Sequence, residues 1–204
     1  MKEPQHRHHT LKEFARRLLA NPGESEFNRL AVNVKLVADV EFIMNVSKKD
    51  FLPCPKVDSS VVKIHQKAEI PEVDYKEWCA FTRTCFTKKN KTLGAIFKHK
   101  RMLVELMKLQ ETKGYEENNT LYSDYHINDT EDKDGLSNED NVNFSSDVVK
   151  DLNLFRDIIN DILSSGGFED KRPSKLSREE LLDLLSLFNR ARIHFSWSSK
   201  TDGK

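Results

Sequence analysis

Two stretches of this 204-residue chain carry residues of the types and spacing that handle nucleic acid. The first is Phe51-Leu52-Pro53-Cys54-Pro55-Lys56-Val57, with two prolines one residue apart. Each proline ring fixes its own φ. Each also biases the residue before it, Leu52 or Cys54, toward extended backbone. Such a loop has little conformational freedom to lose on binding, and it holds Phe51 at a defined separation from Lys56. A ring presented this way can stack on a nucleobase, a contact of about 1–3 kcal/mol per base. The same residues also read as a turn whose Phe51 fills the core, and residue types alone leave both readings open.

The second stretch is Trp78–Val104, 27 residues without Asp or Glu. It holds Arg83, Lys88, Lys89, Lys91, Lys98, Lys100 and Arg101, with His99 beside them. Clustered cations with no interleaved acids attract a polyanion, and each phosphate they neutralise releases counterions. A solvated lysine face has the same composition, so nucleic-acid binding and plain solvation both remain open here.

Other chemistry is poorly represented. There is no GxGxG turn for a nucleotide cofactor, no HExxH and no nucleophile elbow. On motifs alone the chain is not read as a complete enzyme. His6, His8 and His9 lie close together in MKEPQHRHHT but form no recognisable ligand set, so no metal is expected. The three cysteines, Cys54, Cys79 and Cys85, are odd in number and form no CxxC pair. A disulfide framework is therefore not expected, which fits a reducing compartment. No run of about 18 apolar residues is present, and Met1–Thr10 lacks the apolar core of a secretory signal.

The charge balance conceals an asymmetry. Lys+Arg and Asp+Glu each total 33. Residues 112–147 hold ten acids and two bases, a net of −8, which leaves +8 on the remainder. A basic body with an acidic insert is the useful description. The insert is rich in Asn, Asp, Glu and Ser and has no hydrophobic period. It is read as disordered, because it buries too little apolar surface to offset its ordering entropy.

Several elements must position the two stretches. Residues 1–10 are expected to be a disordered leader. Leu11, Phe14, Ala15, Leu18 and Leu19 share one helical stripe, closed by Asn21-Pro22-Gly23. Leu30, Ala31, Val34, Val37 and Ala38 fit a second helix, and Val40–Val46 and Ser59–His65 read as strands flanking the proline loop. Beyond them, Asp74 with Glu77 three residues on forms a capping-box-like start for a helix through Trp78, Phe81, Thr82 and Cys85. Further helical stripes run through Leu93–Phe97 and Met102–Met107. Val148–Leu163 gives a strong amphipathic helix with Gly166-Gly167 as its C-cap, and Ser177–Glu180 opens the last helix. The expected organisation is α/β material over 11–70, then a small all-α domain over 71–111 and 148–196. The insert 112–147 splits that domain, and 197–204 is a disordered tail.

Several of these segments together resemble one family. Arg29–Ile64 (RLAVNVKLVADVEFIMNVSKKDFLPCPKVDSSVVKI) closely resembles the last part of the catalytic domain of the rRNA adenine N6,N6-dimethyltransferases, the dimethyladenosine transferases. Lys12–Gly23, Phe86–Phe97 and Gly167–Asn189 are similar to further segments of that family. The ending Arg192–Ser196 resembles its eukaryotic nucleolar branch. Together the resemblance covers about 145 residues, and its most specific part is the F-x-P-x-P-K-V-x-S pattern from Phe51.

The resemblance implies methyl transfer from S-adenosylmethionine to N6 of two adjacent adenines near the 3′ end of small-subunit rRNA. It implies a flipped target base. Phe51 then stands at that base with Pro53, Pro55 and Lys56 beside it, and the basic helical segment grips rRNA. The fold it implies is the last helices and strands of a Rossmann-like methyltransferase sheet, followed by the helical domain. The family's cofactor-binding glycine turn, acidic ribose ligand and Asn-Leu-Pro-Tyr motif precede the segment that Lys12 begins, and nothing here matches them. The chain is therefore expected to be a piece of the enzyme, inactive alone, with no cofactor-binding or catalytic residues of its own. An alternative is a non-catalytic module that binds pre-rRNA during assembly. The expected partner is the small-subunit rRNA of a pre-ribosome, with no membrane, no metal and a monomeric chain. The implied compartment is the nucleolus, with an organelle such as the mitochondrion left open.

Overall fold

The structure, a computed structural model, describes residues 6–112 and 146–196. Met1–Gln5, most of the acidic insert and the tail from Trp197 lie outside the described residues, so the readings made for them stand as expectations.

The chain opens with strand β1 (His6–Leu11), helix α1 (Lys12–Leu19), helix α2 (Arg29–Val37) and strand β2 (Ala38–Val46). The proline loop then leads to strand β3 (Ser59–Gln66). The expectation that residues 1–10 form a disordered leader is corrected over His6–Thr10, which lie in β1. That strand pairs antiparallel with β3, from His6 opposite Ile64 to Leu11 opposite Ser59. Main-chain pairing does not require apolar side chains, so a histidine-rich stretch without hydrophobic periodicity can still serve as an edge strand. The sheet order is β1-β3-β2, and both pairings are antiparallel. A register shift between Phe42 and Met44 marks a bulge in β2.

Helices follow: α3 (Tyr75–Phe86), α4 (Leu93–Phe97), α5 (Lys100–Thr112), α6 (Ser146–Ser165) and α7 (Arg178–Arg190). Their starts are set by side-chain caps. The Asn28 Oδ1 accepts from Leu30 and Ala31, and the Thr92 hydroxyl accepts from Ala95. Ser177 and Glu180 form a reciprocal capping box at α7, as expected from their spacing. At α3 the Asp74 carboxylate caps Lys76, but Glu77 does not complete a box; its carboxylate points to the end of the chain. Gly167, at φ +65°, ends α6 with the Phe168 N–H donating back to the Leu163 carbonyl at 2.7 Å.

The centre of the helical part is aromatic. Phe81, Phe97, Phe188 and Phe195 lie with ring centroids 4.9–6.2 Å apart, three of the pairs edge-on, and all four are buried. Ala31, Val32 and Leu36 of α2 join this same core, together with Trp78, Leu184 and Leu185. The helix after α1 thus ties the sheet to the bundle.

Candidate nucleic-acid interface

The connection between β2 and β3 holds the first predicted site. It begins as a short 3-10 turn, Lys48–Asp50, started by the Ser47 hydroxyl accepting from the Lys49 N–H. The loop is closed at its base by Asp58. Its Oδ1 accepts from the Lys48 N–H at 3.1 Å, and its carbonyl accepts from the Lys12 N–H at 3.2 Å. One residue therefore pins both the start of the loop and one of the orphan N–H groups at the start of α1.

Between these anchors the loop stands in solvent. Leu52 is 102% exposed, and Pro53, Cys54, Pro55 and Lys56 are exposed as well. The Leu52–Pro53 peptide is cis. Phe51 is half-buried at the loop's start, and its N–H donates to the Lys48 carbonyl. The ring is thus neither a core residue nor fully displayed. A half-buried ring on an anchored loop can offer a face to a base without collapsing into the protein.

The second predicted site divides once its side chains are placed. In the turn after α3, Lys89 faces inward. Its Nζ donates to the Ser25 carbonyl at 2.7 Å and the Phe27 carbonyl at 3.2 Å. Lys98 pairs with Glu169, whose other oxygen accepts from the Ser164 hydroxyl. The Lys98 contact, then that hydroxyl, holds the Glu169 carboxyl below the usual carboxylate range. These two of the seven predicted cations are spent on the fold's own carbonyls and acids. Lys88, directly before Lys89, and Lys91, two residues after it, are exposed. Arg83 is half-buried on α3, and Lys100 and Arg101 are exposed in the first turn of α5, which holds no acid. Cations at a helix N-terminus oppose its dipole.

Lys89 belongs to a wider clamp. The Lys35 Nζ donates to the carbonyls of Leu19 and Ala20 and to the Asn21 side chain, and Lys175 donates to the Gly23 carbonyl. Three lysines from three elements thus satisfy the carbonyls of one loop, residues 19–27. Burial, the largest influence, pulls the Lys35 amine below its ordinary value.

Spacing marks Glu77 only as a cap partner of Asp74, and gives no sign that its carboxylate joins α3 to Asn189, His194 and Phe195, nor of the segment 169–174. That segment lies beside the basic turn through main-chain hydrogen bonds, which leave no signature in residue types. The Arg172-Pro173 pair was the one visible hint.

Among the described residues no group of His, Cys, Asp or Glu is placed to hold a metal. No described helix is long and apolar enough to cross a membrane. The four described glycines do not form a nucleotide cradle: Gly23 lies in the clamped loop, Gly94 packs on Glu169, and Gly166 and Gly167 end α6. These residues do not fit S-adenosylmethionine.

Comparison with known proteins agrees with this layout. The model of the ribosomal RNA adenine dimethylase family matches residues 9–126. A protein of Arabidopsis thaliana named ribosomal RNA small subunit methyltransferase, mitochondrial, is 54% identical over 185 residues, 90% of this chain and 47% of its own length. A second Arabidopsis thaliana protein, named ribosomal RNA small subunit methyltransferase, is 42% identical over 91% of this chain and 56% of its own. The crystal structure of a dimethyladenosine transferase from Plasmodium falciparum superposes with a TM-score of 0.70 at 32% identity, covering 94% of this chain and 59% of that one. The chain spans about half the length of the curated relatives it matches. With the family model covering more than half of the sequence, including the anchored proline loop and the basic turn, the chain belongs to the ribosomal RNA adenine dimethylase family.

Proposed function

We propose that this chain supplies the target-base loop and the RNA-gripping helical surface of an S-adenosylmethionine-dependent rRNA (adenine-N6,N6)-dimethyltransferase acting on small-subunit rRNA. The observation that carries the reading is Phe51, half-buried at the start of an otherwise exposed loop that Asp58 closes at its base. The rRNA-methyltransferase names of the relatives support the substrate class. Phe51 stacks on the flipped adenine, Pro53 and Pro55 hold the loop's shape, and Lys56 offers a cation to a neighbouring phosphate. Arg83, Lys88, Lys91, Lys100 and Arg101 provide the electrostatic grip, while Lys89 and Lys98 act through the fold. The cofactor's role is to supply the methyl group. The described residues do not fit it, and no step through it is assigned to them.

That misfit favours a second reading, in which the 204-residue chain binds pre-rRNA without catalysing transfer. One experiment tests what the two readings share. The purified chain is mixed with labelled S-adenosylmethionine and a hairpin from the 3′ end of small-subunit rRNA that carries the two adjacent adenines. Salt-sensitive binding without methyl transfer is expected. Robust turnover would establish catalysis by these residues, and absence of binding would overturn both readings. For compartment, the relative at 54% identity has a mitochondrial name, which puts the mitochondrion ahead of the nucleolus.

A further inference from the structure

We propose that the groove between the segment Pro71–Val73 and helix α7 is the seat of this chain's own residues 197–204, with the Trp197 indole on its apolar floor and Lys200 at its acidic rim. The inference is independent of the RNA-binding reading.

The groove measures about 590 Å³. Pro71 and Val73 form one wall, and Leu182 and Leu185 of α7 form the other. Leu185 is buried and the other three are half-buried, so the floor is apolar and open to water. The Val73 N–H donates to the Pro71 carbonyl at 2.9 Å, which holds the first wall in a tight turn. Glu72 on one wall and Asp183 on the other are exposed. Among the described residues neither carboxylate has a hydrogen-bond or ion-pair partner. An apolar floor between two acids suits an apolar side chain followed by a cation, and it repels phosphate.

The end of the chain delivers such a segment to this place. Arg192, at φ +60°, reverses the chain after α7, with the Ile193 N–H donating back to the Phe188 carbonyl at 2.9 Å. Glu77 then accepts from both the Asn189 amide at 3.3 Å and the Phe195 N–H at 3.1 Å. Asn189 lines the groove, so Ser196 follows directly on an anchor at the groove's end. Residues 197–204 read WSSKTDGK, an indole with two lysines and one acid. Extended chain advances about 3.3 Å per residue, which places Lys200 about 10 Å beyond Trp197. Along α7, Asp183 lies about 9 Å from Asn189, at roughly 1.5 Å per residue. With Trp197 at the Asn189 end, Lys200 therefore arrives at Asp183 and Glu72. Arg190, at the same end as the indole, can lie over its face. Ser196 is the whole tether, so the effective concentration of Trp197 at the groove is on the order of mM or more, ahead of a second copy.

The test is acrylamide quenching of tryptophan fluorescence in the full chain. Trp78, the other tryptophan, is fully buried, so the difference between wild type and Trp197→Phe isolates Trp197. The free peptide WSSKTDGK is the reference. In the chain, Trp197 should emit to the blue of the peptide and have a quenching constant several-fold lower, at every protein concentration. Ser186→Arg puts a long cation into the groove from an exposed position, and it should raise the constant to that of the peptide. Asp183→Lys should raise it partway. Each variant is read against its own Trp197→Phe partner, with the fold checked by circular dichroism. Four results would overturn the proposal. Wild-type Trp197 quenched as freely as the peptide means an empty groove. Protection that appears only on concentrating the protein assigns the indole to a second copy, and protection that appears only with added rRNA hairpin assigns it to RNA. Protection that survives Ser186→Arg places the indole elsewhere on the chain.

Discussion

The Glu77 carboxylate accepts a hydrogen bond from the main-chain N–H of Phe195 at 3.1 Å, across 118 positions of sequence. The same carboxylate lies 3.0 Å from the His194 Nδ1 and accepts from the Asn189 amide. Three groups near the end of the chain thus converge on one side chain of α3. Through Phe195 they lock the aromatic cluster, since that ring packs on Phe81, Phe97 and Phe188.

Removing that acceptor leaves a partly buried N–H unpaired, a loss of about 1–3 kcal/mol. Glu77→Ala should lower the urea midpoint accordingly. Glu77→Gln, which keeps one acceptor oxygen, should lower it less. Equal effects from the two variants would mean that the carboxylate's packing, not its hydrogen bonding, is what matters.

The basic turn predicts a separation of phenotypes between neighbours. Lys89→Gln should cost roughly 1 kcal/mol of stability, because charged donors to the Ser25 and Phe27 carbonyls are lost from a partly exposed site. Lys88→Gln should leave stability within experimental error and weaken RNA binding. Denaturant titration paired with anisotropy on both variants distinguishes the inward lysine from the outward one.

Gly94→Ala should destabilise by about 1–3 kcal/mol through overpacking, because the new methyl would meet a main-chain oxygen at 3.0 Å and the Glu169 Cγ at 3.1 Å. Main chain yields less readily than the end of a side chain. A thermal melt indistinguishable from wild type would show that the seam between 89–94 and 169–174 can open without cost.

Acid should loosen the helical part first. The Lys98 contact and the Lys171 contact are the leading causes that hold the Glu169 and Glu180 carboxyls below their ordinary range. A carboxyl whose folded value lies below its unfolded value adds stability that is fully present above the unfolded value. That stability is lost as pH falls through the folded value. Stability should therefore hold above the ordinary carboxylate range near 4.3 and decline below it. Glu169→Gln should flatten part of that decline. A decline equally steep in the variant would assign it to other groups.

Much of the secondary structure was legible because it rests on local signals. The Ser177–Glu180 box, the glycines after α6 and the apolar stripes of α3 and α6 are short-range patterns. β1 was not legible, because its order comes from pairing with β3 and its residues show no period. Within the site, the proline loop was readable from residue types, and the inward turn of Lys89 was not. Lysines in KKNK are equivalent in composition, and only the position of the Ser25 and Phe27 carbonyls tells one from the next. Likewise the spacing of Glu77 from Asp74 suggested a cap, but a partner at the far end of the chain competes for the carboxylate.

The proline loop also carries its own reporter. Cys54 is exposed in it, Cys79 is half-buried, and Cys85 is buried with its thiol pushed up by desolvation. Maleimide should label Cys54 first, and bound RNA should slow that labelling. Unaltered labelling with saturating RNA would place the RNA away from the loop.

The most direct measurement uses the rRNA hairpin with 2-aminopurine in place of one of the two adjacent adenines. Binding of the chain should quench or shift that fluorescence through stacking on Phe51, and Phe51→Ala should abolish the change while binding through the helical surface persists. An identical fluorescence change with Phe51→Ala would contradict the assignment of this ring to the target base.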